Sequence, residues 1–363
     1  MERTEARASG LSDPPSSSRT VAGRGGRPWK RVVLNVLLSV LLGSAILWWM
    51  YRNFDFAVVR DTLLHRVHWG WILFSLVFGV TAQVFRGIRW RQTLDPLGEH
   101  PRTSTCVHAV FLSYASSLIV PRIGEVARCA VLRREDGTSF SKAVGTVVTE
   151  RIVDSLLMLV VTGVTLLLQL RVFTHFFRET GVSATSLVHR FTPAGYVVTA
   201  LLLVITLVFI VCLVRQGEAR RAGKGDRLSS RWRSALTDVR AGILSLRNVE
   251  NKWLFLVYTL AIWVSYFLHF HITFLAFPFT VHLSMAAALG AFVAGTVAVL
   301  VPTPNGMGPW HFAVKTLLVL YAVGEQDAET YVLIVHAVQT ALVPLLGIYS
   351  LIALGMRRAW LSK

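Results

Sequence analysis

Residues 32–50, VVLNVLLSVLLGSAILWWM, form an apolar run in which no side chain is charged, and this run indicates the fold class. As a helix rising about 1.5 Å per residue, these 19 residues extend about 28 Å, close to the thickness of a bilayer's hydrocarbon core. Trp48 and Trp49 end the stretch, and tryptophan is enriched where a helix meets the membrane interface. The stretch predicts a transmembrane signal anchor rather than a cleaved signal peptide, because no small-residue cleavage site follows it.

The rest of the chain continues this pattern. Of its 363 residues, 53% are hydrophobic and only 16% are charged, whereas soluble domains carry about 25% charged residues. This composition excludes a disordered chain, a collagen-like repeat and a disulfide-rich scaffold. We predict an all-α polytopic membrane protein with six to eight transmembrane helices. The further apolar segments are 70–85, 106–120, 142–170, 194–214, 253–277, 284–301, 309–323 and 331–354.

The net charge of +17 indicates how the chain is oriented. The loop 215–252 carries ten Lys and Arg residues against four acidic ones, and such loops stay cytoplasmic. We therefore predict a multi-pass protein of a bacterial cell (inner) membrane with both termini cytoplasmic. Nucleic-acid binding is not expected, because the basic residues lie between apolar segments rather than on one compact domain. The predicted parts are a disordered basic tail over 1–29, a transmembrane domain over 30–355 containing that loop, and a short basic tail over 356–363.

Two segments are broken by proline and glycine, and they decide the topology. If 104–141 is a re-entrant hairpin from the cytoplasmic side and 284–323 one from the outer side, six helices span and the charges fit. Each half of the chain then consists of two spans, a hairpin and a third span, and the second half has the inverted orientation. Broken segments at corresponding positions of inverted halves point to a midplane binding site. An arrangement with eight spans stays open.

The densest charged motif is Arg122, Glu125 and Arg128, spaced three residues apart beside an apolar segment. Residues at this spacing are neighbours on a helix. Charges at membrane depth are costly unless they are paired or face a polar cavity. The two guanidinium groups could bind a lipid phosphate, with Glu125 orienting one of them or titrating. The alternative is an interfacial ion-pair network that fixes the hairpin.

A second motif places Glu150 and Asp154 on one helix face, with Arg151 beside them. Two carboxylates on one face raise each other's pKa, which would suit a proton relay. Arg151 could instead keep both carboxylates ionised. An interfacial cluster is the alternative to a functional site here.

A third motif is the loop 302–309, PTPNGMGP, which ends one helix and begins another. Asparagine and glycine tolerate positive φ, and free amides at a helix start attract anions. The alternative is a simple surface turn between two helices. The candidate binding residues in and after this loop are Pro304, Asn305, Gly306, Gly308 and His311.

A fourth motif is the run Arg86-Gly87-Ile88-Arg89-Trp90, where the second apolar segment ends. Arginine and tryptophan at such a boundary usually anchor a helix, although Arg86 and Arg89 could also contact a substrate. His336 lies within a span and is expected to be a hydrogen-bonded histidine of the bundle. No spacing of His, Cys and acidic residues suggests a metal site, and no cofactor motif is present.

Together these motifs resemble the flippase-like family that includes the membrane domain of lysylphosphatidylglycerol synthases. Residues 86–90 are similar to its Arg-x-x-Arg-Trp run, residues 120–128 to its Pro-x-Arg-x-Gly-Glu-x-x-Arg pattern with one spacer fewer, and residues 150–154 to its Glu-Arg-x-x-Asp. Residues 302–311 resemble its Pro-x-Pro-Gly-Gly-x-Gly-x-x-Glu. Asn305 stands where that family has Gly, and His311 where it has Glu.

The resemblance implies a lipid translocase that moves an anionic phospholipid or a polyprenyl-phosphate type of lipid between leaflets. No soluble aminoacyltransferase domain follows residue 355, so lipid aminoacylation by this chain is not expected. The sequence favours a transporter-like protein over an enzyme. Two alternatives stay open: an intramembrane enzyme acting on a lipid-linked phosphate or sugar, and a non-catalytic membrane partner of an envelope-lipid biosynthetic enzyme.

Overall fold

A computed structural model of the chain describes residues 27–52, 54–120, 123–169, 237, 241–242, 244–301 and 303–361, with side chains described in all of these except 27–36, 247 and 361. Most of the predicted tail 1–29, the predicted span 194–214, most of the loop 215–252 and Arg122 lie outside these residues. The helices are α1 (Arg27–Tyr51), α2 (Phe56–Asp61), α3 (Trp69–Leu94), α4 (Thr103–Ile119), α5 (Gly124–Asp136), α6 (Phe140–Leu168), α7 (Lys252–His271), α8 (Met285–Ala298), α9 (Pro309–Leu320) and α10 (Glu325–Leu361).

Four of the described helices are long and apolar enough to cross a membrane. They are α3, α6, α7 and α10, and the crossing segments of α3 and α7 continue through short 3-10 turns to Leu97 and Ala276. Leu37–Tyr51 and Met285–Ala298 are shorter apolar helices. No strand occurs in the part of the chain that the structure describes. The prediction of an all-α polytopic membrane protein is confirmed, while the total of six to eight spans stays a prediction.

The first broken segment is a helical hairpin of α4 and α5, here called the first hairpin. At its base, the Arg102 guanidinium donates from Nε to Asp136 Oδ1 across 2.8 Å, which joins the start of α4 to the end of α5. Near its tip, a side chain on Gly124 would lie 2.0 Å from the backbone oxygen of Ser113. Glycine is therefore what lets the two helices approach each other so closely.

The second broken segment is a hairpin of α8 and α9, here called the second hairpin, whose tip is residues 299–308. Three residues of this tip adopt positive φ: Asn305 at 50°, Gly306 at 74° and Gly308 at 93°. Pro309 occupies the first turn of α9, where its missing N–H costs no hydrogen bond. The prolines and glycines break the apolar stretch where the sequence predicts.

The two hairpins start from opposite ends of the bundle. The end of α10 reaches the base of the first hairpin, where Arg358 Nη2 lies 2.6 Å from Glu135 Oε1. The beginning of α10 reaches the second hairpin, where Lys315 Nζ of α9 donates to Glu325 Oε1 across 2.7 Å. Because α10 runs from one end to the other, the hairpins have opposite directions and their tips lie between the ends. These opposite directions agree with the charge pattern, whereas the inversion of two whole halves stays a prediction, because residues 194–214 lie outside the described residues.

Candidate functional site

Five charged side chains are buried together beside the first hairpin. Arg86 Nη1 donates to Asp154 Oδ2 across 2.7 Å, and Arg128 Nη1 donates to Glu150 Oε2 across 2.7 Å. Arg89 lies between the two acids, with its Nη2 atom 2.9 Å from Asp154 Oδ1 and its Nε atom 3.5 Å from Glu150 Oε1. All five side chains are at most 8% exposed. Three of the four motifs that the sequence singles out thus contribute to one cluster.

Helix periodicity explains how three helices contribute to this cluster. Arg86 and Arg89 are three residues apart on α3, and Glu150 and Asp154 are four apart on α6, so each pair shares one face. Arg128 of α5 completes the cluster. A buried charge is strongly destabilising without a partner, so the acids of α6 require the arginines of its neighbours. The described cluster contains three guanidinium groups and two carboxylates, which leaves one positive charge in excess.

Aromatic rings pack against two of the arginines in the cluster. The Arg128 guanidinium lies 4.6 Å from the centroid of the Trp90 ring, and that of Arg89 lies 5.6 Å from the Phe255 ring. The Trp90 indole donates from Nε1 to Thr146 Oγ1 across 2.9 Å, which fixes the ring. Ring faces attract cations, and more so away from water. The cluster is therefore held in place independently of any ligand.

A cavity of about 230 Å³ lies where the two hairpin tips meet. Residues of α4, α5 and the tip of the second hairpin form its walls together with Arg86 of α3 and Arg151 of α6. The lining residues are Arg86, Val110, Ser113, Tyr114, Ser117, Glu125, Arg128, Arg151, Val299, Val301, Thr303, Asn305 and Gly306.

Some polar atoms of the cavity wall have no hydrogen-bond partner among the described residues. They are Nε of Arg86, Nε and Nη2 of Arg128, and Oγ1 of Thr303. Both arginine side chains are at least nine-tenths buried. Buried polar groups in proteins are nearly always hydrogen-bonded, and each exception needs an explanation. A ligand that accepts hydrogen bonds and carries negative charge would supply the missing partners.

Glu125 and Arg151 form a more accessible ion pair in the same wall. Arg151 Nε lies 3.0 Å from Glu125 Oε1, and both side chains are just under half exposed. One interpretation of the sequence is that Arg151 keeps Glu150 and Asp154 ionised. In the structure, Arg86, Arg89 and Arg128 pair with those two carboxylates, while Arg151 points to the first hairpin. Residues 150 and 151 are about 100° apart on a helix, so they face different neighbours.

The sequence-predicted site residues other than Arg122, which lies outside the described residues, divide into two groups. Residues that line the cavity are Arg86, Glu125, Arg128, Arg151, Asn305 and Gly306, and residues that do not are Arg89, Glu150, Asp154, Pro304, Gly308 and His311. His311 is buried, and its Nδ1 atom accepts from the Gly308 N–H across 3.4 Å. It therefore caps the start of α9.

The site also includes hydroxyl groups on α4, which the sequence motifs do not predict. Ser113, Tyr114 and Ser117 all line the cavity. The Tyr114 hydroxyl also shares a hydrogen bond of 2.7 Å with the hydroxyl of Tyr266 on α7. The signal in the sequence is weak: Ser113 and Ser117 are four residues apart, but α4 also contains Ser104 and Ser116, so these two serines do not stand out. Such serines usually bond to their own backbone, as Ser117 does with Ser113 O at 3.0 Å.

Comparison with known proteins identifies a family relation. A family profile described as the lysylphosphatidylglycerol synthase TM region matches residues 36–347, which is most of the chain and includes every cluster and cavity residue. No curated protein and no solved structure matches the chain significantly.

Proposed function

The chain belongs to the lysylphosphatidylglycerol synthase TM region family, and on this premise we propose that it is a lipid translocase. It would bind an anionic, phosphate-bearing lipid in the cavity between the hairpin tips and move it between leaflets. The observation that carries the proposal is that Arg86 and Arg128, which line the cavity, each have buried guanidinium N–H groups that lack partners among the described residues. Guanidinium groups bind phosphate through paired, charge-assisted hydrogen bonds.

The size of the cavity supports binding of a headgroup rather than a whole lipid. Pockets for drug-sized molecules have volumes of about 300–1,000 Å³, and this cavity of about 230 Å³ is smaller. Apolar side chains at the two tips are open to the surroundings: Ile119 is 76% exposed and Leu300 is 69% exposed. A phosphate could thus enter the cavity while its acyl chains stay against the apolar surface of the tips.

The opposed hairpins support movement between leaflets. Each tip contributes part of the wall, and each hairpin starts from a different end of the bundle. In transporters with inverted repeats, such a central site can be exposed to either side in turn. We further propose that the protein resides in a bacterial cell membrane with both termini cytoplasmic, and that its lipid is an anionic phospholipid or a polyprenyl phosphate.

The alternative of an intramembrane enzyme has less support. Acid–base catalysis on a lipid would need a carboxyl group within reach of the substrate. Glu150 and Asp154 are ion-paired to buried arginines and do not line the cavity. Glu125 does line it, but it faces Arg151. Binding of a negative charge explains this arrangement better than proton transfer does. A role as membrane partner of an envelope-lipid synthase has no specific observation in its favour.

The test is translocation in proteoliposomes. The purified chain is reconstituted with a trace of fluorescently labelled phosphatidylglycerol, and the label that reaches the outer leaflet is measured by its reduction with dithionite. Labelled phosphatidylcholine, whose net charge is zero, reports selectivity for an anion. We expect the protein to accelerate exchange of the anionic lipid, and Arg151→Gln to slow it about tenfold, because a charge of the cavity wall is lost.

Arg133→Gln is the matched control, because Arg133 is an exposed residue of α5 that does not line the cavity. It should leave the rate unchanged. The proposal fails if protein-containing and protein-free liposomes exchange the anionic lipid equally fast, or if the two arginine variants have the same rate. A covalently altered lipid after incubation would instead favour the enzyme alternative.

A further inference from the structure

Asn305 lies in an uncommon backbone conformation in the cavity wall. Its φ is 50°, in the left-handed region that side-chain-bearing residues seldom adopt. Asparagine tolerates this region better than most residues, but holding it there still requires support from its surroundings. The support comes from α10, which does not itself contribute to the cavity wall.

Asn305 and two residues of α10 form a closed ring of three hydrogen bonds, two of which link Asn305 to the helix. Asn305 donates from Nδ2 to Thr340 Oγ1 across 2.7 Å, and its backbone oxygen lies 3.1 Å from His336 Nε2. The ring is completed between Thr340 Oγ1 and His336 Nδ1, 3.3 Å apart. A carbonyl oxygen can only accept, so His336 Nε2 carries the proton. In the neutral imidazole Nδ1 then accepts from the Thr340 hydroxyl. Every donor in the ring has one acceptor.

We infer that His336 and Thr340 are positioning residues of the cavity, acting through Asn305. This inference rests on the proposed function, because the two residues would position a wall of the proposed lipid-binding cavity. Arg86 and Arg128 line the same cavity. Neither residue lines the cavity, so neither would touch the lipid. Their effect is to keep the side chain and backbone of Asn305 in one orientation, and a site held in one orientation binds its ligand at lower entropic cost.

The same helix also contacts the first hairpin. A side chain on Gly347 would lie 2.6 Å from Cβ of Ala115 on α4, and Ser350 Oγ lies 3.1 Å from His108 Nδ1. Thus α10 holds the tip of the second hairpin through residues 336–340 and α4 through residues 347–350. Contacts to both hairpins therefore lie on one helix, which connects the ring on α10 to a cavity that α10 does not line.

The test compares Thr340→Val with Thr340→Ser. Valine has nearly the shape of threonine but lacks the hydroxyl, whereas serine retains it. The first readout is hydrogen exchange of the backbone amides of residues 299–308, which needs no ligand. The second is the affinity for fluorescent phosphatidylglycerol in phosphatidylcholine nanodiscs. For Thr340→Val we expect faster exchange at the tip and an affinity about fivefold weaker, of the order of one lost hydrogen bond. Thr340→Ser should restore both values.

The matched control is Thr330→Val on the same helix. Thr330 is buried and its hydroxyl donates to the Gln326 backbone oxygen of its own helix across 2.8 Å. A general loss of helix stability would appear equally in both valine variants, whereas a positioning role predicts an effect in Thr340→Val alone. Unchanged exchange at the tip of Thr340→Val would overturn the inference. A wild type that binds no lipid while Thr340→Val still loosens the tip would overturn the proposed function but uphold the positioning role.

Discussion

Arg86 on α3 and Asp154 on α6 form an ion pair inside the bundle, with 2.7 Å between Nη1 and Oδ2, although they are 68 positions apart in the sequence. The partner of each charge is supplied by a different helix. Because an unpaired charge at this depth would be strongly unfavourable, the pair fixes α3 and α6 relative to each other. It also leaves the Arg86 Nε atom in the cavity wall without a partner in the described part of the chain. The ion pair that joins the two helices thus also holds the Arg86 guanidinium in place beside the cavity.

Breaking this pair from one side should destabilise the protein more than removing it entirely. Asp154→Leu leaves Arg86 buried without its nearest carboxylate, which we expect to cost about 3–5 kcal/mol. The double variant Asp154→Leu with Arg86→Met should regain part of that loss. Thermal unfolding of the detergent-solubilised variants would show the order of their melting temperatures. Asp61→Asn is the control: its ion pair with Arg66 is about half exposed and should contribute less than about 1 kcal/mol. A double variant less stable than the single one would contradict this account.

Gly124→Ala should loosen the first hairpin. The added methyl group would lie 2.0 Å from Ser113 O and 2.4 Å from Ser117 Oγ, and the backbone oxygen cannot move aside without separating α4 from α5. We expect a loss of about 1–3 kcal/mol or more, and a weaker affinity for phosphatidylglycerol because Ser113 and Ser117 line the cavity. Gly163→Ala on α6 is the matched control, since its added methyl group would have no neighbouring atom within 4 Å. Equal melting temperatures for the two variants would show that the helices do not need the close approach.

Glu125→Gln and Arg151→Gln should change anion binding in opposite directions. The two residues form one half-exposed ion pair in the cavity wall, so the loss of either should change stability by less than about 1 kcal/mol. Removing the carboxylate raises the positive potential of the cavity and frees Arg151, so Glu125→Gln should bind phosphatidylglycerol several-fold more tightly. Arg151→Gln should bind it more weakly. Titrations at low and high salt would measure both effects, which should shrink as salt increases. Weaker binding by both variants would mean that the ion pair itself is required.

Pro344→Ala should raise the melting temperature. Proline has no N–H, so the carbonyl of Thr340 one turn earlier lacks its usual partner within α10. Pro344 is exposed, so exchanging it for alanine removes no buried contact. Neighbouring groups can satisfy such a carbonyl in a membrane helix, which makes the gain smaller than the roughly 3 kcal/mol of a soluble helix. Val338→Ala, which removes side-chain packing on the same helix, should lower the melting temperature. A lower melting temperature for Pro344→Ala would indicate that α10 requires proline at this position.

The sequence predicts the secondary structure of the described chain well because those signals are local. Long, mainly apolar runs give α3, α6, α7 and α10, and the prolines and glycines of 302–309 break the second hairpin at the predicted loop. Loop charges even predict that the hairpins start from opposite ends. Each of these features depends on residues close together in the chain.

Which charges form ion pairs with each other depends on the tertiary structure. Periodicity places Glu150 and Asp154 on one face of α6, but it does not say that α3 and α5 cover that face. For the same reason the motif around Glu125 suggests bonds within one helix, whereas Arg128 turns to Glu150 and Glu125 faces Arg151. The ring joining Asn305 to His336 and Thr340 crosses between helices too.

From its sequence alone, this chain can be predicted to be a helical membrane protein with two broken hairpins and a few charges within its apolar segments. The tertiary structure determines which of those charges neutralise each other and which donors stay unpartnered in the cavity wall, chiefly those of Arg86 and Arg128. The physical reason is that helix formation follows from local hydrogen bonds and hydropathy. Neutralising a buried charge depends instead on which helices pack together.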